Sequence, residues 1–280
     1  MKQIAWIMCG LLFVSVACKA QQSPDEVIFD RFMTVAKTDK LAQLPAGPQM
    51  EAIARFFLGT PYVAGTLEGD AHETLRVNLR ELDCTTLVEN VLALHLTLAN
   101  AQPSFDAFKQ NLLKVRYRNG ELLDYTSRLH YTSEWIINNQ TKGLVSVAMM
   151  GDSAERFPLE VYYMTANPRS YPALEADPSL LPALAAIEGE VNALTVYYVP
   201  KTAVRSAYPL IQSGDIIAIT TDVEGLDYSH MGIAVKDASG VVRLLHASSS
   251  AKQVIVSETE LFDYLAGVKR HTGITVVRAK

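Results

Sequence analysis

Positive charge and cysteine are both scarce in this sequence. Lysine and arginine number 25 against 30 aspartate and glutamate, which gives a formal net charge of −5, and the basic residues form no stripe. Nucleic-acid binding depends on clustered Lys and Arg that neutralise phosphates, so we expect no nucleic-acid partner. A chain of 280 residues can bury a large core of its own, so we expect neither a disulfide framework nor a cofactor.

Long apolar runs are also scarce, and the exception lies near the N-terminus. An apolar stretch at 4–17 follows Lys2, and mostly polar residues follow at 19–23. This order is typical of a secretory signal peptide, and the run is shorter than the about 20 apolar residues that cross a bilayer. We therefore predict a signal peptide at 1–20 and a single exported domain at 21–280.

Two ways of processing this segment stay open. Ser15-Val16-Ala17-Cys18 resembles the processing box of bacterial lipoproteins, in which the cysteine is lipidated and attaches the protein to a membrane. Ser15 stands where an aliphatic residue is usual in that box. Plain cleavage after Ala17 or Ala20 is the alternative.

One cysteine stands alone in the predicted mature domain. Cys9 and Cys18 belong to the processed segment, which leaves Cys84 without a disulfide partner. An unpaired thiol in an exported protein is exposed to oxidation, and a lone cysteine with histidines elsewhere is a candidate nucleophile. The alternative is a small buried side chain at a helix start, because free cysteine is usually buried.

The apolar patterns predict an α+β fold, with helices first and an antiparallel sheet after them. Helices are predicted at 24–40, 48–58, 84–99, 104–115 and 128–139, and a strand at 75–82. Residues 142–188 are rich in proline and are predicted to form loops with short helices. Strands are predicted at 194–199, 216–220, 230–235, 241–247 and 274–277, and a helix at 257–265 that begins with a Ser257–Glu260 capping box.

Cys84 is predicted to begin the third helix, directly after Asp83, a residue type that caps helix starts. A helix N-terminus and a neighbouring imidazolium both lower the pKa of a thiol. Among the histidines, His230 and His246 lie on predicted neighbouring strands. One can therefore act as a base for Cys84 while the other orients it, as in a catalytic triad.

Five short segments then stand in a specific order. They are Gly59-Thr60-Pro61-Tyr62-Val63-Ala64-Gly65, Leu82-Asp83-Cys84-Thr85-Thr86, Gly214-Asp215-Ile216, Ser229-His230-Met231-Gly232-Ile233-Ala234-Val235 and His246-Ala247-Ser248. In this order the chain resembles the NlpC-type papain-like cysteine hydrolases of bacterial cell walls. The resemblance implies a papain-like fold with Cys84 as nucleophile, His230 as base and His246 as the orienting residue. It also implies that Tyr62, Asp83 and Ser229 lie on the substrate side, with Tyr62 near the oxyanion.

The resemblance narrows to one branch of that group. Arg128, His130 and Tyr131, with Trp135 after them, are similar to a motif of the N-acetylmuramoyl-L-alanine amidase-like branch. The long separation of Cys84 and His230 indicates an insertion, at about 103–200. The resemblance implies cleavage between N-acetylmuramic acid and L-alanine in small peptidoglycan fragments, during cell-wall turnover or recycling, in the periplasm or cell envelope.

That branch assignment implies roles for the motif residues. Arg128 is expected to pair with a substrate carboxylate through a two-pronged hydrogen bond. Tyr131 and Trp135 are expected to pack on sugar, and His130 is placed with them in the substrate site. The alternative for Arg128 and Trp135 is a purely structural role.

Three other functions stay open. A stem-peptide endopeptidase would use the same catalytic residues, and the masses of the products would separate it from an amidase. A non-catalytic glycan-binding envelope lipoprotein would keep an unreactive Cys84, which a thiol-reactivity test would reveal. A zinc enzyme needs three or four ligands at short spacings, which one cysteine and two distant histidines do not provide, so no metal is expected.

Overall fold

The computed structural model of the protein describes residues 22–69 and 72–280. The predicted signal segment, with Cys9 and Cys18, lies outside the described residues. The helices within these ranges are α1 (Pro24–Thr38), α2 (Ala46–Phe56), α3 (Cys84–Leu98), α4 (Phe105–Arg116), α5 (Thr132–Thr141), α6 (Tyr163–Ala166), α7 (Pro172–Ala176), α8 (Leu181–Asn192), α9 (Val204–Ala207) and α10 (Leu261–Ala266). In the described part of the chain, no helix has both the length and the apolar character needed to cross a membrane.

The strands form an antiparallel sheet. They are β1 (Val145–Val147), β2 (Glu155–Arg156), β3 (Tyr197–Pro200), β4 (Ile216–Thr221), β5 (Tyr228–Lys236), β6 (Val242–Ser248), β7 (Gln253–Val256) and β8 (His271–Ala279). Their order is β2-β3-β8-β4-β5-β6-β7, and β1 also pairs with β8. The fold therefore combines helices with an antiparallel sheet, and this confirms the predicted α+β class.

The starts of α1 and α4 follow from their local sequence. The Ser23 hydroxyl oxygen accepts from the Glu26 N–H at 3.1 Å at the start of α1, and Ser104 does the same for Ala107 at 3.1 Å at the start of α4. Such N-caps satisfy backbone donors that have no partner inside the helix. The predicted helices at 24–40, 48–58, 84–99 and 104–115 are confirmed to within a few residues.

The central helix of the core is α3. Leu87, Val88, Val91 and Leu92 are all fully buried, and the helix packs against β5, β6, α2 and α4. Each such side chain contributes about 1.5–3 kcal/mol when it is removed from water. The core therefore holds the first residue of α3 in a fixed place relative to β5 and β6.

A close backbone contact explains the glycine before β4. Gly214 has a φ of 86°, and a Cβ atom there would lie 1.9 Å from the carbonyl oxygen of Gly47. Next to it, both Asp215 carboxylate oxygens accept from Arg278 at 2.8 Å. Glycine is thus needed for α2 to approach the sheet.

The segment at 103–200 is built into the core and the sheet. Both β1 and β3 pair with β8, and Phe108, Trp135 and Val145 belong to the main hydrophobic cluster. The prediction of loops with short helices for 142–188 was incomplete, because it missed β1, β2 and most of α8. These are short strands whose partners lie more than 40 residues away, and such strands leave little local signal.

Two further local predictions are wrong. Residues 75–82 form no strand, since Leu82 makes only an isolated bridge to Tyr62. Ser257 does not cap a helix, because its hydroxyl donates to the Thr259 carbonyl at 2.8 Å and accepts from the Leu244 N–H at 3.0 Å. Contacts between segments distant in sequence decide the structure at both places.

Candidate active site

Cys84 is the first residue of α3, and Asp83 is its N-cap. The Asp83 carboxylate accepts from the Thr86 N–H at 2.8 Å, and the Thr86 hydroxyl oxygen accepts from the Asp83 N–H at 2.9 Å. This reciprocal capping box confirms the predicted helix start. The partly exposed thiol therefore stands at the positive end of a helix dipole, beside N–H groups that the helix itself leaves unpaired.

The imidazoles of His230 on β5 and His246 on β6 are in contact. Nε2 of His230 lies 2.7 Å from Nδ1 of His246, and the two rings are nearly perpendicular. The predicted pairing of these two strands is confirmed. Among the described residues, no hydrogen bond reaches Nδ1 of His230, which leaves that nitrogen available to a proton donor.

The residue after His230 contacts the thiol. The backbone of Met231 lies close enough to the Cys84 sulfur to favour its thiolate form, as do the backbone and hydroxyl of Thr85, and the Thr85 hydroxyl lies 3.9 Å from the sulfur. The pairing of β4 with β5 also shifts register between Ile219 and Thr220, where Ile219 lies opposite His230. Such bulges re-aim side chains next to active sites, and here β5 and β6, which carry the two imidazoles, pack against the helix that Cys84 begins.

These groups are neutral at neutral pH. Burial, and then the charge of Asp83, raise the pKa of Cys84 to about 11. Burial, and then His246 and His271, lower the pKa of His230 to about 3, while burial lowers the pKa of His246 to about 4. In the resting protein the thiol therefore keeps its proton, and His230 is an unprotonated base.

Tyr62 and Ser229 lie beside these residues. The Tyr62 N–H donates to the Lys252 carbonyl at 2.9 Å. Its backbone pairs with that of Leu82, two residues before Cys84. Burial, and then the charges of Cys84 and Asp83, raise the pKa of Tyr62 above its usual value. Ser229 precedes His230 on β5, and its side chain is exposed.

Two residues that sequence reasoning missed also pack at the histidine pair. The Tyr264 ring on α10 lies 5.2 Å from the His246 ring and 6.2 Å from the His230 ring, centre to centre. His271, at the start of β8, stacks on Tyr264 at 5.9 Å. Burial, and then Cys84, raise the pKa of Tyr264 to about 12.

The guanidinium of Arg128 is engaged inside the protein. It is 7% exposed and pairs with Glu68 at 2.7 Å and Glu73 at 2.6 Å. Burial lowers the pKa of Arg128, but Glu73 and Glu68 more than offset this and raise it above its usual value. The expectation that Arg128 binds a substrate carboxylate is revised, because such a ligand would have to displace one of these carboxylates.

The other residues of that motif also face the protein interior. His130 contacts the Tyr125 carbonyl through Nε2 at 2.8 Å, and burial and then Arg128 lower its pKa to about 3. The Tyr131 hydroxyl donates to Glu188 at 2.7 Å, and Trp135 is buried. The expectation that Tyr131 and Trp135 pack on sugar is likewise revised.

A cleft of about 400 Å³ opens beside Glu68, Glu73, Tyr125 and Arg128. Its lining does not include Cys84 or either histidine of the pair, so it is separate from the thiol. Among residues 22–69 and 72–280, no three His, Cys, Asp or Glu side chains are placed to share a metal ion.

Comparison with known protein families shows which family the chain belongs to. Residues 52–274 match the model of the N-acetylmuramoyl-L-alanine amidase-like (AmiA-like) family, well over half of the chain. The chain belongs to this family. A comparison of this amidase-like chain with curated proteins gives no match.

Solved structures support the same relationship. A protein of Bacteroides uniformis ATCC 8492 described as an N-acetylmuramoyl-L-alanine amidase is 42% identical, over 84% of this chain and 99% of its own, with a TM-score of 0.77. A Bacteroides fragilis protein described as a candidate xylanase is 40% identical, over 81% and 99%, with a TM-score of 0.75. A Legionella pneumophila protein at 23% identity, over 90% and 96%, shares the fold with a TM-score of 0.66.

Proposed function

We propose that this member of the amidase-like family is a cysteine hydrolase that cleaves the amide bond between N-acetylmuramic acid and L-alanine in peptidoglycan fragments. The observation that carries the proposal is the lone thiol of Cys84 at the start of α3, a helix packed against β5 and β6, which carry the hydrogen-bonded pair of His230 and His246. Family membership supports the choice of bond. A cysteine at a helix start with a histidine on the facing strand also supports the NlpC-type, papain-like assignment.

The first step is attack by the thiol on the lactyl carbonyl carbon of the muramic acid. Cys84 is protonated at rest, so its proton passes to Nδ1 of His230 as the carbon–sulfur bond forms. We assign the hydrogen between the imidazoles to Nε2 of His230, because only then is Nδ1 unprotonated. His246, which burial keeps neutral, then accepts a hydrogen bond from the imidazolium.

The second step releases the peptide and then the sugar. The imidazolium gives its proton to the departing nitrogen of L-alanine, the carbon–nitrogen bond breaks, and a thioester remains on Cys84. Water, deprotonated by His230, attacks the thioester, the carbon–sulfur bond breaks, and the imidazolium returns the proton to the Cys84 sulfur as the sugar leaves with its lactyl carboxyl group. The Cys84 N–H and the Tyr62 hydroxyl are the groups that we assign to the oxyanion, since the helix leaves the first free and Tyr62 pairs with Leu82, two residues before Cys84.

Glycoside hydrolysis, which the description of one neighbour names, is less well supported. It uses a pair of carboxylates on either side of the scissile bond. At this site the carboxylate beside the thiol is that of Asp83, which already caps α3. Stem-peptide endopeptidase activity remains the alternative, because it would use the same catalytic residues.

The N-terminal sequence supports a location outside the cytoplasm. A basic residue followed by an apolar stretch and small residues is typical of exported proteins. We propose that the enzyme works in the periplasm or cell envelope, where peptidoglycan fragments arise. Cell fractionation of the wild type and of Cys18→Ala tests both the export and the lipid anchor.

The proposed reaction is tested with a short, defined muropeptide. Wild type should release a peptide with L-alanine at its free N-terminus and a sugar that keeps its lactyl carboxylate, both seen by mass spectrometry. Cys84→Ala should release neither while it unfolds at the same urea concentration. Sugar products that still carry L-alanine would contradict the amidase and leave the endopeptidase.

A further inference from the structure

One segment begins and ends at the candidate site. We call residues 63–69 and 72–82 the linking segment, since they join Tyr62 to Asp83 and Cys84. It contains neither a helix nor a strand. Its ends are fastened together, because the Val63 N–H donates to the Leu82 carbonyl at 3.2 Å and the Leu82 N–H donates to the Pro61 carbonyl at 3.0 Å.

Arg128 holds the middle of the linking segment from outside. Its Nε and Nη2 donate to the two carboxylate oxygens of Glu73, at 3.0 and 2.6 Å. Its Nη1 donates to Glu68 at 2.7 Å, and Nη2 also donates to the Leu67 carbonyl at 3.3 Å. The Tyr125 ring covers one face of the guanidinium at 4.9 Å, so each nitrogen and one face are already used.

Tyr117 holds the same stretch. Its hydroxyl contacts Glu73 at 2.6 Å and the Thr74 carbonyl at 3.2 Å, and its side chain is almost fully buried. A substrate cannot reach that hydroxyl, so its contacts serve the protein alone.

Arg116 ties the linking segment to the helix that Cys84 begins. Its Nη1 donates to the Arg76 carbonyl at 2.6 Å, while its Nε donates to Glu89 on α3 at 2.7 Å. Both side chains of this ion pair are buried. The residues of 103–200 thereby brace an otherwise irregular segment against α3.

We propose that Arg128 is a positioning residue that acts together with Tyr117: the two hold the linking segment so that Tyr62 keeps its place beside Cys84. The proposal builds on the proposed function in that Cys84 is the reacting group. It replaces a substrate-binding role for Arg128, and it gives the long segment between nucleophile and base a structural purpose. Buried, fully paired polar networks of this kind fix one arrangement of the chain.

The test uses Arg128→Lys, which keeps the charge but loses the fork, and Tyr117→Phe, which keeps the ring. The matched control for Arg128→Lys is Arg118→Lys, because Arg118 binds Glu134 and both residues lie within 103–200. The matched control for Tyr117→Phe is Tyr162→Phe, because the Tyr162 hydroxyl binds the exposed Glu224. All four changes are mild, and urea unfolding checks that each variant folds.

Two readouts do not depend on the muropeptide. One is the rate at which iodoacetamide, a small uncharged reagent, alkylates Cys84. The other is trypsin cleavage after Arg76 or Arg80, mapped by mass. Tyr117→Phe loses one hydrogen bond, so local opening should become easier, and alkylation and trypsin cleavage should each become about fivefold faster. Arg128→Lys loses the charged fork, so both rates should rise further than in Tyr117→Phe.

The muropeptide assay adds a kinetic distinction. A positioning role predicts that kcat falls in both variants while KM changes little, and that both controls behave as wild type. Normal alkylation and normal cleavage in both variants, with KM raised only in Arg128→Lys, would overturn the proposal in favour of substrate binding. If wild type leaves the muropeptide intact, the proposed function fails, whereas alkylation and trypsin still decide the role of Arg128.

Discussion

The hydrogen bond between His230 and His246 gives the most quantitative prediction. Its length is 2.7 Å, and its donor becomes charged when His230 takes the proton of Cys84. Hydrogen bonds to charged groups contribute about 1.5–3 kcal/mol, which corresponds to about a 10- to 150-fold change in rate. We expect His246→Leu, which removes the acceptor, to lower the single-turnover rate on a muropeptide by that factor.

Two further variants sharpen this prediction. His246→Asn keeps an acceptor oxygen and should recover much of the lost rate, whereas His230→Ala removes the base and should lose about 10²–10⁴-fold. Unfolding in urea checks that all three variants remain folded. Equal rates for His246→Leu and wild type would refute the orienting role, and a larger loss in His246→Leu than in His230→Ala would reverse the two assignments.

Other predictions concern protonation, stability and metal. Between pH 6.5 and 4, His230 is protonated in the unfolded chain but stays neutral in the folded protein, where its pKa is about 3. As the pH falls over this range, the unfolding free energy of the wild type, measured in urea, should therefore decrease by about 3 kcal/mol more than that of His230→Gln. Asp83→Asn keeps the helix cap but removes a charge that raises the pKa of Cys84, so the pH profile of iodoacetamide alkylation should shift to lower pH; an unchanged profile would contradict that cause. Glu89→Ala leaves Arg116 buried without its partner and should cost about 3–5 kcal/mol in the same urea assay. A chelator should leave the muropeptide rate unchanged, and a loss that zinc restores would contradict a metal-free reaction.

The parts of the site that were predicted correctly have local causes. The α3 start depends on Asp83 and Thr86, which lie within three residues of each other. The pairing of β5 with β6 depends on two largely apolar, buried stretches joined by a short turn. Signals of this range are contained in a single sequence, so Cys84, His230 and His246 could be named before their contacts were known.

The residues that were missed depend on distant partners. Tyr264 on α10 and His271 on β8 stack on each other beside His246 only in the assembled fold. The branch motif implies a substrate role for Arg128, and nothing local marks Glu68 and Glu73, more than 50 residues earlier, as its partners. Pairings over such separations follow from the assembled fold and leave no periodic pattern.

The identity of the group bound to Cys84 during turnover tests the central claim most directly. A muropeptide is mixed with excess enzyme, the reaction is stopped with acid, and the adduct is mapped by peptide mass spectrometry. The account predicts a thioester between Cys84 and the lactyl carbonyl of the muramic acid, with the peptide already released. A peptide fragment on Cys84, an adduct on another residue, or undiminished turnover by Cys84→Ala would contradict it.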